Sequence, residues 1–195
     1  MSKYYIYILT LGFIFIISCS SEKLDSDQSD IQFSVNTNLL SKSIYLDNSK
    51  ISFRPPIGWD ELSSDQINII SEVVNSTENV FDIKLNKAFQ SLNGAMIIIS
   101  SIKNTIENFG YIPSNYMQLL SEQFKVDDIM LDNFKIHQVP VKQFLINTKD
   151  VVIIKLFISD NVDYQLDYIV PKKVYEEELK KIESSIGSIN TIKGE

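Results

Sequence analysis

The chain has 195 residues, of which 44% are hydrophobic, 22% charged and 11% aromatic, a globular composition that excludes wholesale disorder, collagen and coiled coil. Its net charge is −7, with a single arginine (Arg54) against seventeen lysines, which is not the clustered, Arg-rich face of a nucleic-acid binder. One cysteine forbids an internal disulfide, and one histidine removes His-paired metal motifs and nearly all Cys/His catalytic pairings.

Met1-Ser2-Lys3 forms a short positive head, and the run from Tyr4 to Ile17 carries no charge. A membrane-spanning helix needs about 20 apolar residues, so this run is too short to span and fits the core of a signal peptide. It ends in Ile16-Ile17-Ser18-Cys19, which resembles the bacterial lipobox, with isoleucine at Ile16 in place of the commoner leucine. The resemblance implies a signal peptide over 1–18, cleavage by signal peptidase II, and a diacylglyceryl group on the thiol of Cys19, with palmitate-type acylation of the new amino terminus. The competing reading is an ordinary secretory signal with an incidental Cys19. The position of the chain's sole cysteine favours the lipobox. Two or three acyl chains anchor stably where one does not. Cleavage removes Lys3 and no acid, so the mature chain is more acidic than the precursor and is not drawn to anionic headgroups. The lipid, not a basic patch, is then the membrane partner. By resemblance to enterobacterial sorting, Ser20 after the cysteine implies the outer membrane, facing the periplasm.

Ser20 to Asp30 is polar and aperiodic, a flexible tether. Apolar residues return from Ile31 to Leu40 as a first strand or wrapping arm. The expected organisation is a lipidated terminus and tether over 19–40, one domain over 41–190, and a tail over 191–195. Ile44-Tyr45-Leu46 and Ile51-Ser52-Phe53 flank the turn formers Asp47-Asn48-Ser49-Lys50 and predict a β-hairpin. Pro55-Pro56 ends the second strand. Ser63 and Gln66 have capping-box spacing, and Ile67, Ile70, Val73 and Val74 recur with helical period, predicting a helix over 64–75. Phe81, Ile83 and Leu85 alternate with polar residues as a half-buried strand. Asn93-Gly94 marks a turn, and Met96 to Ile99 reads as a central strand. Ser114 is placed to cap a second helix, with Met117, Leu120 and Phe124 on one side. Phe134 to Ile146 is a strand region broken by Pro140, implying an edge or bulge there. Val151 to Ile158 is apolar on both faces apart from Lys155. Asp160-Asn161 predicts a hairpin turn into alternating Tyr164, Leu166, Tyr168 and Val170. Pro171 is read as opening a last helix with the stripe Tyr175, Leu179, Ile182, Ile186 and Ile189, and Glu176 to Glu178 lie where its dipole favours acids.

Hairpins with helices interspersed predict an α+β fold: an antiparallel sheet with helices packed on it. The hairpin into Ile51-Ser52-Phe53-Arg54-Pro55-Pro56-Ile57-Gly58-Trp59, the hairpin ending Tyr164-Gln165-Leu166-Asp167-Tyr168, and the closing helix with Ser184-Ser185-Ile186 resemble the PsbP-like superfamily. That superfamily includes the photosystem oxygen-evolving subunit and DcrB-like bacterial envelope proteins. The resemblance spans roughly Ser41 to Ile189 and implies an α/β/α sandwich, a mostly non-enzymatic role and no transferable catalytic residue. The helix after Trp59 departs from the simplest family pattern, where a strand often follows.

Asp127, Asp128 and Asp132 lack the alternation and glycine of a calcium loop, so they read as a solvated helix-to-strand connection with no metal. Asp160, Asn161 and Asp163 are explained by a tight hairpin. His137 is read on a strand with no orienting carboxylate or nucleophile placed beside it. Asn75-Ser76-Thr77 matches a glycosylation acceptor, an accidental match beside a bacterial lipobox. No nucleophile elbow, phosphate-binding loop, dinucleotide fingerprint or zinc-protease motif is present. Trp59, the single tryptophan, is a candidate binding residue, set against a role closing one end of the core. The expectation is a non-enzymatic cell-envelope lipoprotein without cofactor, catalytic residue or nucleic-acid partner, acting on an envelope protein as an accessory or assembly factor. The alternatives are a small-ligand-binding lipoprotein with a pocket between sheet and helix, and a hydrolase built from scattered residues.

Overall fold

The computed structural model describes residues 29–30, 33–46, 51–77, 81–103, 115–158 and 163–191. The signal peptide with Cys19, the tether before Ser29, the turn residues 47–50 and 160–161, and Ser114 lie outside the described residues. Among the described residues no helix is long and apolar enough to cross a membrane.

The elements in chain order are β1 (Ser29–Asp30), a 3-10 turn (Thr37–Leu39), β2 (Ile44–Tyr45), β3 (Ile51–Phe53), β4 (Trp59–Glu61), α1 (Ser64–Thr77), β5 (Asp82–Ser91), β6 (Met96–Lys103), α2 (Tyr116–Phe124), β7 (Ile129–Ile136), β8 (Val139–Asn147), β9 (Val151–Ile158), β10 (Asp163–Pro171), a second 3-10 turn (Lys172–Val174), α3 (Tyr175–Gly187) and β11 (Asn190–Thr191). Eight strands form one sheet in the order β1-β7-β8-β9-β10-β6-β5-β4. Every pairing in it is antiparallel except the parallel contact of β1 with β7. A three-stranded sheet, β11-β3-β2, sits beside it. The fold is therefore α+β with an antiparallel sheet.

Helices cover both faces of the large sheet because its middle strands are apolar on both. On one face Val152, Ile154, Leu156 and Ile158 of β9 and Tyr164, Leu166, Tyr168 and Val170 of β10 meet Ile182 and Ile186 of α3, with Ile189 just beyond it. On the other, Ile153 and Phe157 of β9 and Phe144 and Ile146 of β8 meet Tyr116 and Leu120 of α2, with Val74 of α1 packed alongside. Phe81, Tyr116, Phe144 and Phe157 pack there with centroids 5.2 to 6.0 Å apart, the range aromatic edges favour. Ser63 caps α1 as its spacing predicts: Gln66 N donates to Ser63 Oγ at 3.4 Å, and Ser63 N donates to Gln66 Oε1 at 3.0 Å.

Several local expectations are corrected. The inward residue of α2 is Tyr116, not Met117, which is 38% exposed, because the helix starts at Tyr116 and its rotation places Tyr116 with Leu120. His137 is not within a strand: it and Gln138 form the β7–β8 turn, both with positive φ (47° and 70°), as a two-residue hairpin turn of the primed type requires. Asp132 lies inside β7 rather than in a connection. Pro140 makes no bulge: its register partner is Lys135 and the ladder to β9 begins at Val141, so among the described residues β8 has one neighbour there, the edge rather than the bulge of the expectation. The bulge falls in β5 between Leu85 and Lys87, where Ser101 N donates to Asn86 Oδ1 at 2.7 Å. Pro171 ends β10, and α3 starts at Tyr175 after the 3-10 turn. Trp59 begins a short edge strand paired with Ser91.

Packing extends upstream of Ser41. Phe33 stacks at 5.7 Å on Phe134, and Asn36 N donates to Ser184 Oγ at 3.2 Å. This arm lies directly on Gly187, where a Cβ would overlap Phe33 Cβ and come within 2.9 Å of Val35 Cγ2. Arg54 fastens the arm's end: its Nε donates to Ser41 O at 2.7 Å, and its own backbone is held by Ser185 and Ser188 of the α3 end.

Candidate functional site

A groove of about 390 Å³ opens between the sheet and the start of α3. Register explains its floor: Met130 is opposite Leu145 and Asn147 is opposite Val152, so the four line one face across three adjacent strands. Lys172, Tyr175 and Glu176 form the wall and Asp128 the rim. Ile182 and Ile186 are buried while Tyr175 and Leu179 are half-buried, so α3 seats on the sheet at its C-terminal half and leaves the gap at its start. Asn147 Nδ2 donates to Asp128 Oδ2 at 3.0 Å, fixing the rim carboxylate. Burial, then the carboxylates of Glu183 and Glu176, push the Tyr175 phenol above its ordinary value, so it stays a neutral hydrogen-bond donor at pH 7. The result is an apolar floor with convergent polar groups, the usual make-up of a binding cleft.

Beside the groove, β7 over Ile129 to Asn133 has no outer neighbour among the described residues. Among the described residues its outer side is paired only at Phe134 and Lys135, by β1. Met130 and Leu131 point to opposite faces and are 54% and 39% exposed.

Elsewhere the ionisable groups brought together bind one another. Glu178 is 1% exposed and accepts from Trp59 Nε1 at 3.0 Å, Asn93 Nδ2 at 2.8 Å and Lys181 Nζ at 3.0 Å. Burial raises its pKa, but the hydrogen bonds from Asn93, Lys181 and Trp59 and the charge of Lys181 outweigh burial and hold the carboxyl below its ordinary value. On the α2-covered face Lys155 pairs with Asp167 at 3.1 Å, and Gln165 Nε2 donates to the same carboxylate at 2.7 Å. Burial pushes the Tyr168 phenol far above its ordinary value, against the opposing pull of its hydrogen bond with Ser185.

The residues singled out from sequence are not gathered in one place. Trp59 is 4% exposed, packed edge-on to Tyr168 at 6.3 Å in the core. His137 is at the exposed β7–β8 turn. Asp128 reaches the groove while Asp132 lies along the β7 edge. Among the described residues no group of three or more His, Cys, Asp or Glu is arranged to hold a metal ion. The Glu178 cluster was not anticipated, and of the groove only a pocket between sheet and helix was, without its lining residues. Glu178 had a signal, since it falls three residues after Tyr175 and four before Ile182, on the apolar stripe itself.

No family model and no curated protein matches the chain. Among solved structures the fold is similar to the solution structure of cyanobacterial PsbP (CyanoP) from Synechocystis sp. PCC 6803, at 11% sequence identity and a TM-score of 0.49, over 81% of this chain and 95% of that chain.

Proposed function

We propose that the chain is a cell-envelope lipoprotein, anchored through lipid on Cys19 to the periplasmic face of a bacterial outer membrane, whose non-enzymatic domain binds a protein partner as an accessory or assembly factor. One observation carries the reading: a positive head and an uncharged run end in Ile16-Ile17-Ser18-Cys19, with a polar tether behind them and a folded domain after that. The non-enzymatic part is supported by Glu178, Lys155 and Asp167, whose charges are spent on fixed internal partners. Exposed apolar side chains at the β7 edge support a binding role. The test is Cys19→Ala in the native host with acyl labelling and membrane fractionation. The variant is expected to accumulate as unlabelled, unprocessed precursor; normal processing and membrane retention would overturn the anchor.

A second reading is favoured by the groove: a small-ligand-binding lipoprotein, since about 390 Å³ lies within the range of ligand clefts. A small molecule retained through purification, seen by native mass spectrometry and lost on filling the floor with Val152→Trp, would select it.

A further inference from the structure

Resting on the lipid-anchor reading, we propose that the turns before β4 and after β5 form a second membrane contact, at which Leu92 and Ile57 enter the headgroup layer of the bilayer holding the lipid on Cys19. The two turns are adjacent, because Trp59, which closes the first, is the register partner of Ser91, which opens the second. Trp59 N donates to Pro56 O at 3.3 Å and Gly94 N donates to Ser91 O at 3.1 Å. Each turn thus has an aliphatic residue at its second position, Ile57 or Leu92, where polar residues or proline are favoured. Local bonding keeps both outward. Gly58 has a φ of +77°, as the third position of a type II turn requires. Asn93 is drawn inward by Glu178, to which its Nδ2 donates at 2.8 Å, and its Oδ1 accepts from Ser91 Oγ. Leu92 is left 101% exposed and Ile57 50%. A leucine held wholly in water forgoes the stabilisation of burial, which the apolar side of a membrane interface supplies.

The course of the chain selects lipid as the occupant. A row of register partners crosses the sheet from Ile129 through Ile153 and Met96 to Asp60, so the start of β7 and the two turns lie at one end. β1 runs parallel to β7, with Ser29 opposite Phe134, so the amino end of β1 faces that same end. Nine residues join Ser29 to Cys19, a reach of at most about 36 Å. Six strand spacings, about 29 Å, separate β1 from β5. Anchor and turns can therefore meet one bilayer at two separate points, which fixes the posture of the domain. The described turn at the opposite end, His137-Gln138, is polar. Charges of both signs flank the two apolar turns, among them Asp60, Glu178, Lys172 and Lys181, so the contact is apolar and needs no anionic lipid. Asp128, Asn147 and Lys172 of the groove lie at this end too, which sets the groove on the membrane side.

The test uses the mature lipidated chain in vesicles of phosphatidylethanolamine and phosphatidylcholine, part of the latter carrying a spin label on its acyl chain. Acylated Cys19 has no free thiol, so Leu92→Cys supplies the single site for an environment-sensitive fluorophore. Ile69→Cys on α1 and Gln138→Cys at the opposite end are the comparisons, both exposed positions. Quenching by the spin label at 92, and not at 69 or 138, is expected. Quenching at none of the three, or equally at all, overturns the proposal. With the fluorophore on Ile57→Cys, Leu92→Asp should lower the docked-to-undocked ratio about tenfold, and added salt should leave the parent ratio unchanged. An unchanged ratio in Leu92→Asp, or a loss with salt, overturns it. Leu92 has its whole surface in solvent, so the fold of these variants is not at stake. Acyl labelling of Cys19 separates this contact from the anchor. Labelled Cys19 without quenching at 92 leaves the anchor standing and overturns the contact, and unlabelled Cys19 overturns both. In the native host a photo-crosslinking residue at Leu92 should capture lipid; capture of a protein instead overturns the proposal in favour of a docking partner.

Discussion

Gly187→Ala isolates the packing of the arm on the last helix. The residue ends α3 without a positive φ, so alanine suits the backbone, and helix propensity alone predicts a gain of up to about 1 kcal/mol. The added methyl instead overlaps Phe33 Cβ and meets Val35 Cγ2 at 2.9 Å. Phe33 Cβ is fixed to the main chain, so relief requires the arm itself to move. Moving it gives up half the burial of a phenylalanine, about 1–1.5 kcal/mol, and the Asn36–Ser184 hydrogen bond, about 1 kcal/mol. Set against the propensity gain, net destabilisation of about 1–2 kcal/mol follows, in the range of other overpacked sites. For a chain of this length that lowers Tm by about 2–8 °C. Urea titration followed by circular dichroism measures it, with amide exchange over 33–41 as a local readout. Combining the change with Phe33→Gly and Val35→Ala removes the overlap, so the multiple variant should be more stable than the sum of its parts by about 1 kcal/mol. A neutral or stabilising Gly187→Ala, with unchanged protection of the arm, would refute the reasoning.

The Glu178 carboxyl binds its proton less tightly folded than unfolded, so it stabilises above its ordinary value of 4.5 and that contribution is lost as pH falls through the lower folded value. Urea midpoints between pH 3 and 7 should therefore fall less steeply on acidification in Glu178→Gln than in the parent; parallel curves would show that the group does not titrate as described. Glu178→Ala, which strips Trp59 Nε1 and Asn93 of their acceptor, should cost about 2–3 kcal/mol. Lys155→Met leaves Asp167 buried without its cation and should cost about 3 kcal/mol, whereas Lys155→Met with Asp167→Leu should recover part of that loss; a double variant worse than the single would contradict an uncompensated charge as the cause. Gln138→Gly relieves one positive φ at the β7–β8 turn and should raise stability by about 1 kcal/mol in thermal unfolding; a loss would argue against that turn geometry.

What the sequence made legible was governed by periodicity. The stripe from Tyr175 to Ile186, the doubly apolar run of β9 and the alternation of β10 each identify an element because burial on a regular backbone imposes a period. The features that escaped depend on pairing partners distant in the chain. His137-Gln138 carries no glycine or asparagine, so a turn forced by the register of β7 and β8 left no local mark. Glu178 lay on the apolar stripe, but only the fold shows that Trp59 and Asn93 arrive to satisfy it. Lys155 and Asp167 become partners through the β9–β10 register, which their placement about the intervening turn foreshadowed. The groove depends on where a helix stops touching a sheet, a matter of tilt that no single segment encodes.

The stitching of the chain's two ends has a consequence for the order of events during synthesis. β3 pairs with β11, Arg54 is held by serines near the end of α3, and Phe33 lies on Gly187. Polypeptides emerge amino terminus first, so the earliest part of the domain to appear is docked onto the latest. Phe33 and Arg54 lack part of their docking surface until α3 and β11 have been made. The strands of β5 to β10 can pair with neighbours as they emerge, but one face of that sheet stays bare until Ile182, Ile186 and Ile189 arrive. Completion of the fold is thus a late, concerted event that waits on the final residues, and a chain lacking them would hold a long apolar sheet open to aggregation or to a chaperone.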